Sequence, residues 1–360
     1  MYEKKTFNTI GFIENTNFLI KLDQQNEKTI LNNFDQKQDI KFIYYNSKNK
    51  KYFASNEMSE IKNSLNVYDL HKENTNRFDC VKSANMNITT TLCLHDLKRD
   101  VFISQNIKSY GSWETQILKN FMKILNSNRN IHVFDIGAHI GQFTLYSAKF
   151  GRKVIAVEPF YDNFIRIHKA AQLENLTQNI ILVINGISDK RGKLEMLKKN
   201  EKNIGGQGID EKFNSSFIET SKLLKNKYIL RTIELDDLIL ILPENVQEAI
   251  IKIDIEGNEI KAFKKAKKLF DRVKFHAVFI EWMGKNRPSL FKENEINNFL
   301  DFMYKRNFIC INPLNFLVLD RKFWKFWPGD ILFIQKKIKL DVFKTEKTIF
   351  QNQRTLKYDK

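Results

Sequence analysis

Long apolar runs are missing from this 360-residue chain. The stretch from Ile233 to Ile251 is broken by Glu234, Asp236, Asp237, Pro243 and Glu244, which argues against a membrane-spanning helix. The first ten residues carry charge with no apolar segment behind them, so no secretory leader is read and a cytoplasmic location is expected. Cysteine is scarce. Cys80, Cys93 and Cys310 cannot by themselves build a disulfide framework or a four-ligand zinc site. A dense basic block is also missing, although 59 basic and 42 acidic residues leave a net charge of +17. Short clusters such as Lys264-Lys265-Ala266-Lys267-Lys268 read as solvated faces in a composition rich in Lys, Asn, Ile and Phe. A polyanionic partner is the competing reading of the same charge.

What is present is ordinary for a globular protein: 42% hydrophobic and 28% charged residues, enough to bury a large core. Four parts follow one another. Residues 1–76, rich in Asn, Lys and Gln, read as an appendage with several short strands, among them Lys41 to Tyr45. Residues 77–130 hold two predicted strands, Thr90–Leu94 and Asp100–Ser104, and a helix from Trp113 to Leu125 with Ser112 placed to cap it. Residues 131–337 alternate strand and helix: apolar runs at Ile131–Phe134, Val154–Val157, Ile180–Ile184, Ala249–Ile253, Phe275–Ile280, Phe308–Ile311 and Asp330–Ile334. Strands apolar on both faces, separated by helical patterns, predict an α/β fold with a mostly parallel sheet covered on both sides. Residues 338–360 form a basic, polar tail.

In such a sheet, ligands settle beyond the carboxyl ends of the strands. The first long strand runs into Asp135-Ile136-Gly137-Ala138-His139-Ile140-Gly141, and a helix begins at once. Gly137 and Gly141 allow a tight turn and a close ligand. The next strand ends in Glu158, 21 residues after Gly137 and suited to a ribose diol. The middle glycine of a dinucleotide loop is absent. Asp135 would sit poorly beside a phosphate but well beside an ammonium. A donor with an ammonium, a sulfonium and a ribose, S-adenosylmethionine, fits these residues better than a dinucleotide does.

These motifs resemble those of the FkbM-family methyltransferases. The likeness lies in Asp135 to Gly141, Val157-Glu158-Pro159, Asn185-Gly186-Ile187-Ser188-Asp189 and, above all, Ile251-Lys252-Ile253-Asp254-Ile255-Glu256-Gly257-Asn258-Glu259. Arg166 to Ala170 and Asn203 to Gln207 are similar to an animal branch. The resemblance spans roughly residues 100–337. It implies a Rossmann-like class I methyltransferase with a seven-stranded sheet and an antiparallel strand inserted near one edge. It also implies S-adenosylmethionine as cofactor and O-methylation of a hydroxyl on a sugar, glycolipid or other small molecule. Gly137 and Gly141 would line the cofactor loop, Glu158 would take the ribose, and Asn185 or its neighbours would approach the adenine.

Transfer to an unactivated alcohol needs positioning and a base. Asp254 and Glu256, at the fourth strand tip, are the candidate catalytic pair, either as proton acceptor or as holders of a divalent cation such as Mg²⁺. The competing reading makes Glu256 a helix cap. Glu281-Trp282 borders the acceptor side, Asn203 to Gly208 is a covering loop or a surface hairpin, and Trp324 and Trp327 read as core. A methyltransferase-like binding module without catalysis is the alternative from another class. A nucleic-acid methyltransferase is disfavoured, since the fourth strand tip lacks an Asn-Pro-Pro-Tyr-type motif. Cys80 and Cys93 flank the Asn87-Ile88-Thr89 sequon. They read as free thiols unless the chain enters an oxidising compartment.

Overall fold

The computed structural model describes residues 28–32 and 42–46, then 64–336 apart from 85, 198–202, 205, 211–212, 214–225 and 284–291. The tail from residue 338 and most of the first 63 residues lie outside this description. Within it, Lys28–Asn32 pairs antiparallel with Phe42–Asn46.

One sheet organises the rest. Its strands are β1 (Val67–Tyr68), β2 (Ile131–Ile136), β3 (Val154–Val157), β4 (Ile180–Val183), β5 (Glu248–Ile253), β6 (Lys274–Glu281), β7 (Phe308–Ile311) and β8 (Asp330–Gln335). They lie in the order β7-β8-β6-β5-β2-β3-β4-β1. Neighbours from β6 through β4 are parallel, while β8 runs antiparallel between β6 and β7. All six residues of β2 and all four of β3 are buried, as expected of strands covered on both faces. The strand order reverses beside β2, so a crevice opens above the β2 and β5 tips. Seven strands were expected and eight are present. The extra one, β1, comes from the segment read as an appendage.

That segment is stitched down by polar groups with no hydrophobic period to announce them. His168 lies buried with its ring against the Tyr68 hydroxyl at 3.2 Å and the Leu70 carbonyl at 3.1 Å. Asn74 donates to the Ile165 carbonyl at 2.8 Å. Residues 64–76 therefore pack as part of the main domain.

The helices are α1 (Ile103–Tyr110), α2 (Thr115–Ser127), α3 (Gln142–Lys149), α4 (Tyr161–Leu173), α5 (Glu259–Phe263), α6 (Lys267–Arg272) and α7 (Glu293–Tyr304). Two local expectations are corrected here. The run at 100–104 begins a helix, not a strand. Asp100 accepts from the Ile103 and Ser104 amides at 3.1 and 2.9 Å and so caps the turn that apolar content alone had hidden. Ser112 does not cap α2. Its hydroxyl lies 2.7 Å from that of Thr115, and Glu114 occupies the cap position in a left-handed conformation.

The free-thiol reading of Cys80 and Cys93 is also corrected. They face each other directly across the Asp79–Lys82 and Thr91–Leu94 hairpin and are joined by a disulfide, whereas Cys310 is a buried thiol. Trp282, Trp324 and Trp327 pack together in the core, with the Trp282 indole donating to the Trp324 carbonyl at 2.9 Å. Among the described residues, no helix is long and apolar enough to cross a membrane.

Glu174, which follows α4, ties this hairpin to the sheet's helical layer. It accepts from Lys82, from Thr91 and, at 2.6 Å, from Lys149. Burial alone would raise its pKa, but these hydrogen bonds outweigh it and hold the carboxyl at about 2. A depressed native pKa gives stability that is complete above the unfolded value and is lost as pH falls towards the folded one. Glu174→Gln should therefore cost about 1 kcal/mol near neutral pH. The gap between the two proteins should close as pH drops from about 4.5 towards 2, as followed by thermal melts.

Candidate active site

The strand tips of β2, β3 and β5 converge on a cavity of about 270 Å³. Its construction begins with a backbone crossing. The Asp254 amide donates to the Ile136 carbonyl at 2.9 Å, so the chain leaving β5 passes directly over the turn leaving β2. Gly137 sits under that crossing with φ +83°, and a Cβ there would overlap the Asp254 carbonyl oxygen. The turn residue is thus a glycine because a neighbouring loop needs the space. Gly141, at φ +86°, starts α3 and packs against Ile167 outside the cavity lining.

Glu158, at the β3 tip, lines the cavity. Its two oxygens accept from the His139 and Phe160 amides at 2.7 and 2.9 Å, which fixes the carboxylate in place. Burial raises its pKa to about 7 despite those bonds. Asn185 touches the cavity, but its side chain is spent elsewhere. It accepts from the Asn66 amide at 2.7 Å and donates to the Ser64 and Arg231 carbonyls at 2.8 and 2.9 Å. Gly186 and Ile187 beside it also line the wall.

Asp135 is not among the lining residues. It lies below the floor, accepting from the Thr144 hydroxyl at 2.5 Å, in register with Lys252 on β5. An approach of its carboxylate to the cofactor's ammonium is therefore not what this geometry provides. Burial pushes it up to about 6.

The other half of the cavity is acidic. Glu114, Asp254, Glu256 and Glu281 join Glu158 in the wall, and none of the described lining residues is Lys or Arg. Beneath them the buried Lys252 ammonium contacts Asp254 Oδ2 at 3.0 Å. Burial would raise Asp254, yet Lys252 carries it below the ordinary carboxylate range. Glu281 meets acids instead. Burial and the charges of Asp254, Glu256 and Glu259 push it up to about 12.

Glu256 adopts φ +55° and meets the Gly206 to Gly208 loop, where a Cβ at either glycine would press on it. It does not cap the following helix by the expected route. Glu259, which sequence reasoning missed, accepts from the Ile255 and Gly257 amides at 2.9 and 3.1 Å. Its position in the first turn of α5 is the signal that could have pointed to it. Glu114 and His139 were also undervalued. Both line the cavity, and each reaches it from a left-handed backbone conformation.

Five acidic residues thus line the cavity of a chain whose net charge is +17. The wound sheet, its inserted antiparallel strand and the crevice above its tips give the Rossmann-like α/β fold of the class I methyltransferase type. Residues 135–310 match the methyltransferase FkbM domain, and over that span the chain is similar to that family.

Among solved structures, monomeric WbdD shows 14% identity and a TM-score of 0.29, covering 49% of this chain and 33% of its own. The present chain thus spans about a third of that protein. An rRNA methylase from Streptococcus thermophilus shows 13% identity, TM-score 0.30, and coverage of 57% and 86%. Magnesium protoporphyrin IX methyltransferase from Synechocystis, with bound SAH, shows 12% identity, TM-score 0.31, and coverage of 61% and 82%. No curated protein matches.

Gly137→Ala should be among the most damaging single-methyl changes in the chain. It combines a left-handed backbone with backbone overlap and should cost more than about 2 kcal/mol. Gly151→Ala, also at positive φ but with open space around it, is the control. Denaturant midpoints of the two variants check the difference.

Proposed function

We propose that this protein transfers the methyl group of S-adenosylmethionine to a hydroxyl of a sugar, a glycolipid or another small polyhydroxylated acceptor. The observation that carries the reading is the acidic lining of the cavity: five Asp and Glu residues and, among the described lining residues, no Lys or Arg. A donor bearing an ammonium and a sulfonium is stabilised there, whereas a pyrophosphate is repelled. When bound, that donor supplies an electrophilic methyl group and leaves as a neutral thioether.

The residues of this chain do the rest. Glu158, braced by two amides, accepts hydrogen bonds from the ribose diol. The walls beside Gly186 and Ile187 receive the adenine. Asp254, kept ionised by Lys252, orients the acceptor hydroxyl. A carboxylate of low pKa is a weak base towards a free alcohol. It becomes a sufficient one as the oxygen gains its methyl group, because the proton on that oxygen is then strongly acidic. The C–S bond breaks, the C–O bond forms, and the proton passes to Asp254. Glu256 holds the Gly206 to Gly208 loop over the acceptor.

Two measurements test this. Calorimetry should show adenosylhomocysteine binding that strengthens as pH rises through about 7, where Glu158 ionises, and levels off above. Glu158→Gln should weaken binding roughly tenfold and flatten the pH profile. Labelled donor with a panel of polyols and glycans reads the second step. Asp254→Asn should keep adenosylhomocysteine affinity while turnover falls about a hundredfold or more. Absence of any adenosylhomocysteine binding by the wild-type chain would refute the reading.

A further inference from the structure

Asp254, Glu259 and Glu281 each bring a carboxylate oxygen to within 4.8 Å of the others, the first two from the β5–α5 connection and the third from the end of β6. An acidic cluster alone is no site, because carboxylates gather for many reasons. Here a second feature points to a ligand. Glu259 is 1% exposed, and although its Oε1 is engaged by two backbone amides, its buried Oε2 has no hydrogen-bond partner. Glu281 likewise holds a buried Oε2 without a partner. A buried carboxylate oxygen left unpaired costs free energy that a protein rarely tolerates unless something fills the place. Lys252 does not fill it, since its ammonium sits at 3.0 Å on Oδ2 of Asp254.

We propose that Asp254, Glu259 and Glu281 hold a hard divalent cation, Ca²⁺ or Mg²⁺. Oxygen-only donors select Ca²⁺, Mg²⁺ or Mn²⁺ over zinc or copper. Ca²⁺ binds such oxygens at about 2.4 Å and Mg²⁺ at about 2.1 Å. Three carboxylate oxygens within 4.8 Å of one another can close on either ion. Glu256, the other acid of the strand tip, stays outside this set and faces the covering loop.

In placing the ion beside the acceptor hydroxyl, the proposal rests on the methyl-transfer reading. There the ion would orient that hydroxyl and lower its proton affinity. Occupancy of the site is measured without donor or acceptor.

The full chain is titrated calorimetrically with Ca²⁺, and separately with Mg²⁺, and then with adenosylhomocysteine. The expected result is one saturable cation site, weakened at least about tenfold in both Glu259→Gln and Glu281→Gln. In the Glu259→Gln variant the side-chain amide oxygen can still accept from the Ile255 and Gly257 amides, so the turn keeps its acceptor and adenosylhomocysteine should still bind. No saturable heat from either ion up to about 10 mM would overturn the site. Unchanged cation affinity in both variants would overturn it equally. Cation binding without adenosylhomocysteine binding would instead count against the methyl-transfer reading, so the two failures are separable.

Discussion

A single buried ammonium organises the charge of this molecule's crevice. Lys252 stands in the middle strand of the sheet, 3% exposed, in register with Asp135 on one side and Phe279 on the other. An isolated charge there would be untenable. Asp254 at 3.0 Å, with Glu114 and Asp330 near it, makes the ammonium more stable than it is in water, and its pKa rises in spite of burial. The Phe143 ring, 5.7 Å away, adds a polarisable face. The arrangement works in both directions. Lys252 keeps Asp254 ionised at the strand tip, while the surplus acids, above all Glu281, are left to protons or to whatever cation arrives. An ion pair of this kind contributes more to the state of the site than to net stability, because desolvating both partners consumes most of the Coulombic gain.

The sign of the cavity is independent of the sign of the surface. A net charge of +17 invites a polyanion, yet the wall of the crevice presents acidic residues and no Lys or Arg among its described residues. Low-dielectric walls strengthen a local field, so the groups within a few ångströms decide what binds, and exposed lysines are screened by salt over about 10 Å. The overall charge therefore governs solubility and loose encounters. The cavity's chemistry is set by acids carried on the tips of β3, β5 and β6 and at the start of α2.

The sheet was legible because apolar runs of four to six residues between helical periods have few other folded solutions. Gly137, Glu158, Asn185, Asp254 and Glu256 were legible as neighbours, since strand tips in a wound sheet face one crevice. What stayed hidden depended on partners distant in sequence. Val67 and Tyr68 form an edge strand only because Val183 and Leu182 are there to receive them. Asp100 turns an apolar run into a helix through two amides. Asp135 reads as a ligand group from its spacing, yet its carboxylate is claimed by Thr144 from below. Asn185 is likewise consumed by Ser64, Asn66 and Arg231, none of them near it in the chain. Motifs specify which residues gather. Hydrogen bonds from elsewhere decide which of their atoms remain available.

The crossing at Gly137 binds the two halves of the crevice into one unit. The loop after β2 carries His139, whose amide braces Glu158, and the loop after β5 carries Asp254, whose amide is held by Ile136. The groups proposed for the donor's ribose and for the acceptor hydroxyl are thus referenced to the same few backbone atoms. In-line transfer tolerates little misplacement, since an error of about 1 Å can cost about a hundredfold in rate. Positioning on two strands locked by a side-chain-free contact meets that requirement better than positioning on a surface loop. The Gly206 to Gly208 segment stands apart from this crossing and meets Glu256 at the outer side of the crevice. Variation in that segment would change what the crevice admits without disturbing the fixed pair beneath, which is how one strand-tip chemistry can serve acceptors of different shape.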